Sequence, residues 1–152
     1  VNFHYEFSLR HLSNVFQGLL TARPNEFVDP AKFVYLWLHE SERVYGDRLV
    51  NERDLVKFKT LVQDAAKKKF PQYSVAKFFA GTNATPLIFS HFVTSLEDKV
   101  YDQVESMKTL HTVLSQSLDE YNETYAQMPL VLFHDAMAHV CRIARIILNP
   151  GG

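Results

Sequence analysis

The chain has 152 residues, 47% hydrophobic and 22% charged, with a formal net charge of -1. That composition supports a packed core in one ordinary domain or two small ones. It offers no basic surface for nucleic acid, no internal disulfide framework from the single Cys141, which fits a reducing compartment, and no apolar run of the roughly 18 residues that a membrane span needs.

Twelve Phe, seven Tyr and one Trp stand against five Gly and six Pro, a balance that favours long helices over a turn-rich sandwich or barrel. Ser8 can cap a first helix, on which Leu9, Leu12, Phe16, Leu19 and Leu20 recur at steps of three and four as one apolar stripe. Asp29-Pro30 is a stronger start signal, a capping acid before proline at the first helical position. Phe33, Trp37 and Val44 follow on one face, and this helix should stop near Gly46. Asn51 can cap a third helix carrying Leu55, Phe58, Leu61 and Val62, bounded by Pro71.

Between Phe70 and Ser95 the pattern is mixed. Residues 81–86 read as a loop, and the apolar runs 75–79 and 87–89 take no assignment. A fourth helix is predicted over about 97 to 124 from Val100, Val104, Met107, Leu110, Leu114, Leu118 and Tyr121. A fifth, roughly 133 to 148, follows the apolar run Leu130-Val131-Leu132-Phe133, with Met137, Val140, Cys141, Ala144 and Ile147 turned inward. The fold class is therefore mainly α, and the loop near 81–86 is the best boundary. The start lacks a signal-peptide layout and an initiator Met, and both ends read as cut.

The residues offer no catalytic centre. His134 and His139 stand five apart, about 500° of helical rotation, which sends the rings to different faces. Helical zinc pairs use a spacing of four, so these histidines and His39 read as partly exposed helix residues, and no metal is expected. Cys141 falls on the apolar stripe and reads as a buried, inert thiol rather than a nucleophile. Lys67-Lys68-Lys69 reads as a solvated helix end. No phosphate-binding loop or dinucleotide fingerprint occurs. Arg10 stands apart. In the first turn after the Ser8 cap, its guanidinium sits where free N–H groups and the helix dipole favour an anion. A phosphate presented by another domain would suit it, and an ordinary surface arginine is the alternative.

Two blocks of sequence carry a resemblance. The first runs Tyr5-Glu6-Phe7-Ser8-Leu9-Arg10-His11-Leu12-Ser13-Asn14-Val15-Phe16-Gln17-Gly18, then Leu36-Trp37-Leu38-His39-Glu40 and Arg43-Val44-Tyr45-Gly46-Asp47-Arg48-Leu49. It resembles the small helical lid of the third AAA+ module in dynein heavy chains. The second, Tyr121-Asn122-Glu123 and then Met128-Pro129-Leu130-Val131-Leu132-Phe133-His134-Asp135-Ala136-Met137-Ala138-His139-Val140-Cys141-Arg142-Ile143, resembles the lead-in to the fourth module. The character is most similar to the axonemal, outer-arm type.

The resemblance implies a lid over residues 1–93 and the opening helices of the next module over 94–152. It implies that Arg10 is the sensor-2 residue reaching the nucleotide phosphates of the third module. It also implies that Leu130, Val131, Leu132 and Phe133 line the adenine pocket of the fourth. The family often has proline at Leu9, an acid at His11 and an acid at His134. The resemblance further implies ATP or ADP with Mg in the intact motor and no cofactor in this piece alone. Its partners would be the rest of the same ring, microtubules and dynein intermediate and light chains, in a cilium or flagellum. By itself the piece is expected to hydrolyse no ATP, and its uncovered apolar faces invite self-association. Without the two blocks, a free-standing helical interaction module would be the favoured reading, ahead of a small His/Cys enzyme.

Overall fold

A computed structural model describes residues 4–81, 84–93 and 100–149. Its contacts divide the chain into two compact units, Val1–Leu87 and Ile88–Gly152.

The first unit is built on three helices, α1 (Leu9–Leu19), α2 (Pro30–Val44) and α3 (Glu52–Lys69). The start signals act as the sequence predicts. Asp29 Oδ1 accepts the Ala31 N–H at 2.9 Å ahead of Pro30, and Asn51 Oδ1 accepts the Asp54 N–H at 2.9 Å. Each satisfies one of the donors that a helix start leaves open.

Helix α2 is the centre of this unit. It buries Val34, Leu36, Leu38 and Val44, and also His39, Glu40 and Ser41, so its burial runs around most of its circumference. Val34 and Leu38 form a cluster with Ala66 and Val75, against which Trp37, Val62, Phe70 and Phe79 pack. The chain after α3 folds back on α2 through a 3₁₀ turn at Ala76–Phe78. There the Tyr35 hydroxyl donates to the Ser74 carbonyl at 3.2 Å, and Lys77 Nζ lies 4.6 Å from the centre of the Tyr35 ring. Gly81 then turns the chain at φ 64°, a conformation that suits glycine.

His39 departs from the expectation of a partly exposed histidine, since it is buried. Its Nδ1 lies 3.0 Å from the Leu87 carbonyl, and a carbonyl only accepts, so Nδ1 carries the proton in this contact. A polar ring is buried at little cost when its hydrogen bond is made inside.

The second unit holds two paired two-residue strands, β1 (Phe89–Ser90) and β2 (Asp102–Gln103), then α4 (Met107–Thr124) and α5 (His134–Leu148). The strands are antiparallel, with Phe89 opposite Gln103 and Ser90 opposite Asp102, and the Val104 N–H extends the ladder to the Ile88 carbonyl at 2.9 Å. This corrects the predicted start of the fourth helix. Residues 97–99 lie outside the described residues, Val100 is not helical, and α4 begins only at Met107, where Ser106 Oγ accepts the Thr109 N–H at 3.2 Å. Tyr101 and Val104 are buried from extended chain, not from a helical stripe. Phe92, Val104, Leu110, Leu114, Met137 and Cys141 form the core, with Ile88, Leu132, Val140 and Ala144 packed on it. Ile147, predicted inward, is 73% exposed. It lies past the last turn of α5 that reaches this core.

Candidate functional site

Helix α1 shows why its amino end is the place to look. Its face toward α2 is made by Val15 and Gly18, which are buried. Gly18 allows close approach, because a β-carbon there would run into the carboxyl of Glu40 and lie 2.7 Å from its Cγ. The predicted apolar stripe therefore faces the other way. Leu9 is 83% exposed, and Leu12, Phe16 and Leu20 are exposed with it. This is an uncovered apolar surface running along the helix that carries Arg10.

The start of α1 is held by aromatic contacts. Phe7, immediately before the Ser8 cap, packs edge-on against Tyr45 at 5.3 Å and against His11 at 5.8 Å between ring centres. Tyr5 stacks on Phe7 at 6.3 Å, and its hydroxyl accepts the Val50 N–H at 3.0 Å. His11 Nδ1 accepts the Ser8 N–H at 2.8 Å. It takes the back-reaching role that Glu or Gln plays in a capping box, and the ring proton then sits on Nε2.

Arg10 is the second residue of α1 and is exposed. Among the described residues no ion pair reaches it. The N–H groups of Leu9 and Arg10 have no acceptor within their own helix, as at any helix start. A cation in the first turn opposes the helix dipole by about 0.3–1 kcal/mol. Helix stability therefore gives no reason for an arginine there, whereas an anion at the helix end would reverse the sign of the interaction.

In the second unit the run 130–133 forms a short bridge between α4 and α5. Asn122 Oδ1 accepts the Met128 N–H at 2.7 Å at one end, and Phe133 caps α5 at the other. Two tight turns, Leu130 N–H to Met128 carbonyl at 2.8 Å and Phe133 N–H to Val131 carbonyl at 3.2 Å, shape it. Leu132 packs onto the core below. Leu130, Val131 and Phe133 stay exposed, Val131 at 76%. The result is an apolar ridge on a backbone fixed at both ends.

Other candidates stand elsewhere. His134 Nδ1 lies 3.4 Å from Asp135 Oδ1 on the exposed start of α5, and His139 is exposed farther along. Among the described residues no three of His, Cys, Asp and Glu converge as a ligand set. Cys141 is buried, and burial raises its thiol above the ordinary range against a smaller lowering by a hydrogen bond with Ser90. A thiol shifted that way is a poor nucleophile near neutral pH. Lys67, Lys68 and Lys69 are exposed in the last turn of α3. Sequence reasoning missed the anchors Tyr5, Phe7 and Tyr45 and the Gly18–Glu40 approach. A hydrophobic residue just before a cap is the one signal that could have pointed to Phe7.

Residues 1–79 match the AAA+ lid domain. Over all 152 residues the chain is 52% identical to the dynein alpha chain of the flagellar outer arm of Chlamydomonas reinhardtii and 47% identical to a ciliary dynein beta chain of Tripneustes gratilla. It is 45% identical to dynein axonemal heavy chain 11 of Sus scrofa over 157 aligned positions. In each case the alignment takes in the whole chain but only 3% of the relative's length. The resemblance read from the two sequence blocks is thus borne out, for the lid and for the axonemal type. The chain belongs to the AAA+ lid domain family and is similar throughout its length to axonemal dynein heavy chains.

Proposed function

We propose that the chain is a non-catalytic part of a dynein heavy-chain motor ring, with the lid of the third AAA+ module leading into the fourth. Arg10 is its sensor-2 residue, and Leu130, Val131, Leu132 and Phe133 line the adenine pocket of the following module. The observation that carries the first role is Arg10 itself, exposed in the first turn of a helix whose leading N–H groups are open. That donor set fits a phosphate. The apolar ridge with its fixed backbone supports the second role, since a purine face needs apolar cover and its edge needs backbone partners.

ATP or ADP with Mg would occupy the sites of the intact motor. The nucleotide supplies a phosphate charge that Arg10 meets and a flat base that the ridge covers. Magnesium is chiefly a matter of phosphates and water, and its protein ligands would come from elsewhere in the ring. The chain's own work is to transmit. Lid motion at the third site passes along continuous polypeptide into the next module, as rigid-body movement. Partners are the rest of the ring, and through the whole motor microtubules and the intermediate and light chains of an axoneme.

The test is Arg10→Ala in the full heavy chain. Removing a hydrogen bond to a charged group weakens binding by about 1.5–3 kcal/mol. Nucleotide affinity at the third site should therefore fall tenfold or more and microtubule gliding should slow. Arg10→Lys should recover the charge but not the two-pronged geometry. Wild-type affinity together with wild-type velocity in Arg10→Ala would end this assignment.

A further inference from the structure

At the opposite end of α1 from Arg10 the first unit carries a second feature that the lid reading does not use. Phe27, Phe33, Phe70 and Tyr73 surround a cleft of about 530 Å³ with the buried Val34 at its floor. Its size is that of a small ligand or side-chain pocket. Its walls are set in place. Phe27 meets Phe33 edge-on at 6.4 Å between ring centres, and Phe70 meets Trp37 at 6.0 Å. Pro24 and Pro30 in the lining fix φ on either side of the α1–α2 connection. A shape held by packed rings and prolines is formed before anything enters it.

The described lining of the cleft holds one charged side chain, a cation, and no acid. Arg23 lines the cleft. Lys32 Nζ donates to the Glu26 carbonyl at 2.8 Å and lies 5.2 Å from the centre of the Phe27 ring. Lys67, Lys68 and Lys69 fill the last turn of α3 just before Phe70. Among the described residues no ion pair reaches Arg23 or these three lysines. The nearby acids on the connection are Glu26 and Asp29, and Asp29 is engaged with the Ala31 N–H. The lysines do complement the carboxyl end of α3. That role accounts for their sign, and it leaves their charge within three residues of Phe70, which does line the cleft.

We propose that this cleft docks one aromatic or branched apolar side chain presented by an acidic protein segment. The side chain fills the ring-walled cavity, and carboxylates flanking it meet Arg23 and the lysine-rich end of α3. Burial of the apolar group supplies the affinity, while the charges set which segments approach. Phe27 and Phe33 meet edge-on across the lining and present no pair of parallel ring faces, which favours an inserted side chain over a stacked nucleic-acid base.

The test uses a fluorescein-labelled peptide with one Trp between runs of Glu, titrated with this chain and followed by anisotropy. Saturable binding that weakens as salt is raised is expected. So is about a tenfold loss in Arg23→Glu, with an unchanged circular dichroism spectrum, and a similar loss in Phe33→Ala. Peptides with Ala for Trp, or with Lys for each Glu, should fail to bind. The proposal is overturned if the acidic peptide does not saturate, if Arg23→Glu binds it as well as wild type does, or if the Lys-flanked peptide binds equally. Stronger competition by oligothymidylate would reassign the cleft to nucleic acid. Self-association abolished by Arg23→Glu would reassign it to a second copy.

Discussion

Gly18→Ala is the most informative single change in the first unit, because two effects of opposite sign meet there. In a helix interior, alanine is favoured over glycine by about 1 kcal/mol. Against that, the new methyl would collide with the Glu40 carboxyl and lie 2.7 Å from its Cγ. Glu40 is 0% exposed on the central helix, so its side chain has no solvent to swing into. Overpacking of this kind costs about 1–3 kcal/mol, and disturbing a buried carboxyl's partners adds about 1–3 kcal/mol. The net expectation is a destabilisation of about 1–5 kcal/mol, which is a fall of roughly 0.5–2.5 M in the urea midpoint at a slope of about 2 kcal/mol/M. Trp37 fluorescence reads the transition. The decisive arm is a double-mutant cycle with Glu40→Ala. With the carboxyl gone, Gly18→Ala should become neutral or stabilise by up to about 1 kcal/mol. If Gly18→Ala is as stable as wild type while Glu40 is present, the close approach is not a constraint and the reasoning fails.

Three further outcomes can be checked by the same denaturation. Asn51→Ala should cost about 1 kcal/mol through loss of the α3 cap, and Asn51→Asp should cost little. Met137→Ala should cost about 2–5 kcal/mol as a core truncation, whereas the exposed Ile147→Lys should stay within about 0.5 kcal/mol. Equal effects at the two positions would contradict the observed burial. Cys141 gives a pH signature. Its folded-state thiol is raised, so above the ordinary thiol range the unfolded chain loses its proton first and is favoured. The stability held at neutral pH should therefore decline as pH rises through that range. Cys141→Ala should remove this part of the decline, seen as a flatter stability–pH curve than wild type. Identical curves would mean that the thiol titrates alike folded and unfolded.

Where local chemistry decides an element, the sequence was enough. Asp29-Pro30 and Asn51 name their helix starts because the capping oxygen and the fixed proline φ act within three residues. Helix α5 was legible because Met137, Cys141 and Ala144 repeat on one side. Where a tertiary partner decides, the sequence was mute. The stripe Leu9, Leu12, Phe16 is as periodic as a core face, yet it lies outside, because periodicity marks an amphipathic helix without saying which surface covers it. The pairing of β1 with β2 involves two residues on each strand, too short for alternation to register, so in the sequence Val104 reads as part of a longer helix. His39 reads as a partly exposed helix residue, and its burial follows from the distant Leu87 carbonyl, which no local pattern announces. Arg10 is legible as an oddity in a first turn, and the role proposed for it draws on family resemblance joined to an open helix end.

The aromatic seating of the chain ahead of α1 has a mechanical consequence. A pull on Tyr5 is borne first by its hydroxyl contact to the Val50 amide and by the Phe7 ring wedged at Tyr45. The load therefore enters at the far end of α2 and the 3₁₀ turn Gly46–Arg48 that follows it, before it reaches the first turn of α1. The placement of Arg10 in the first turn of α1 thus depends on a contact made outside that helix, at Tyr45.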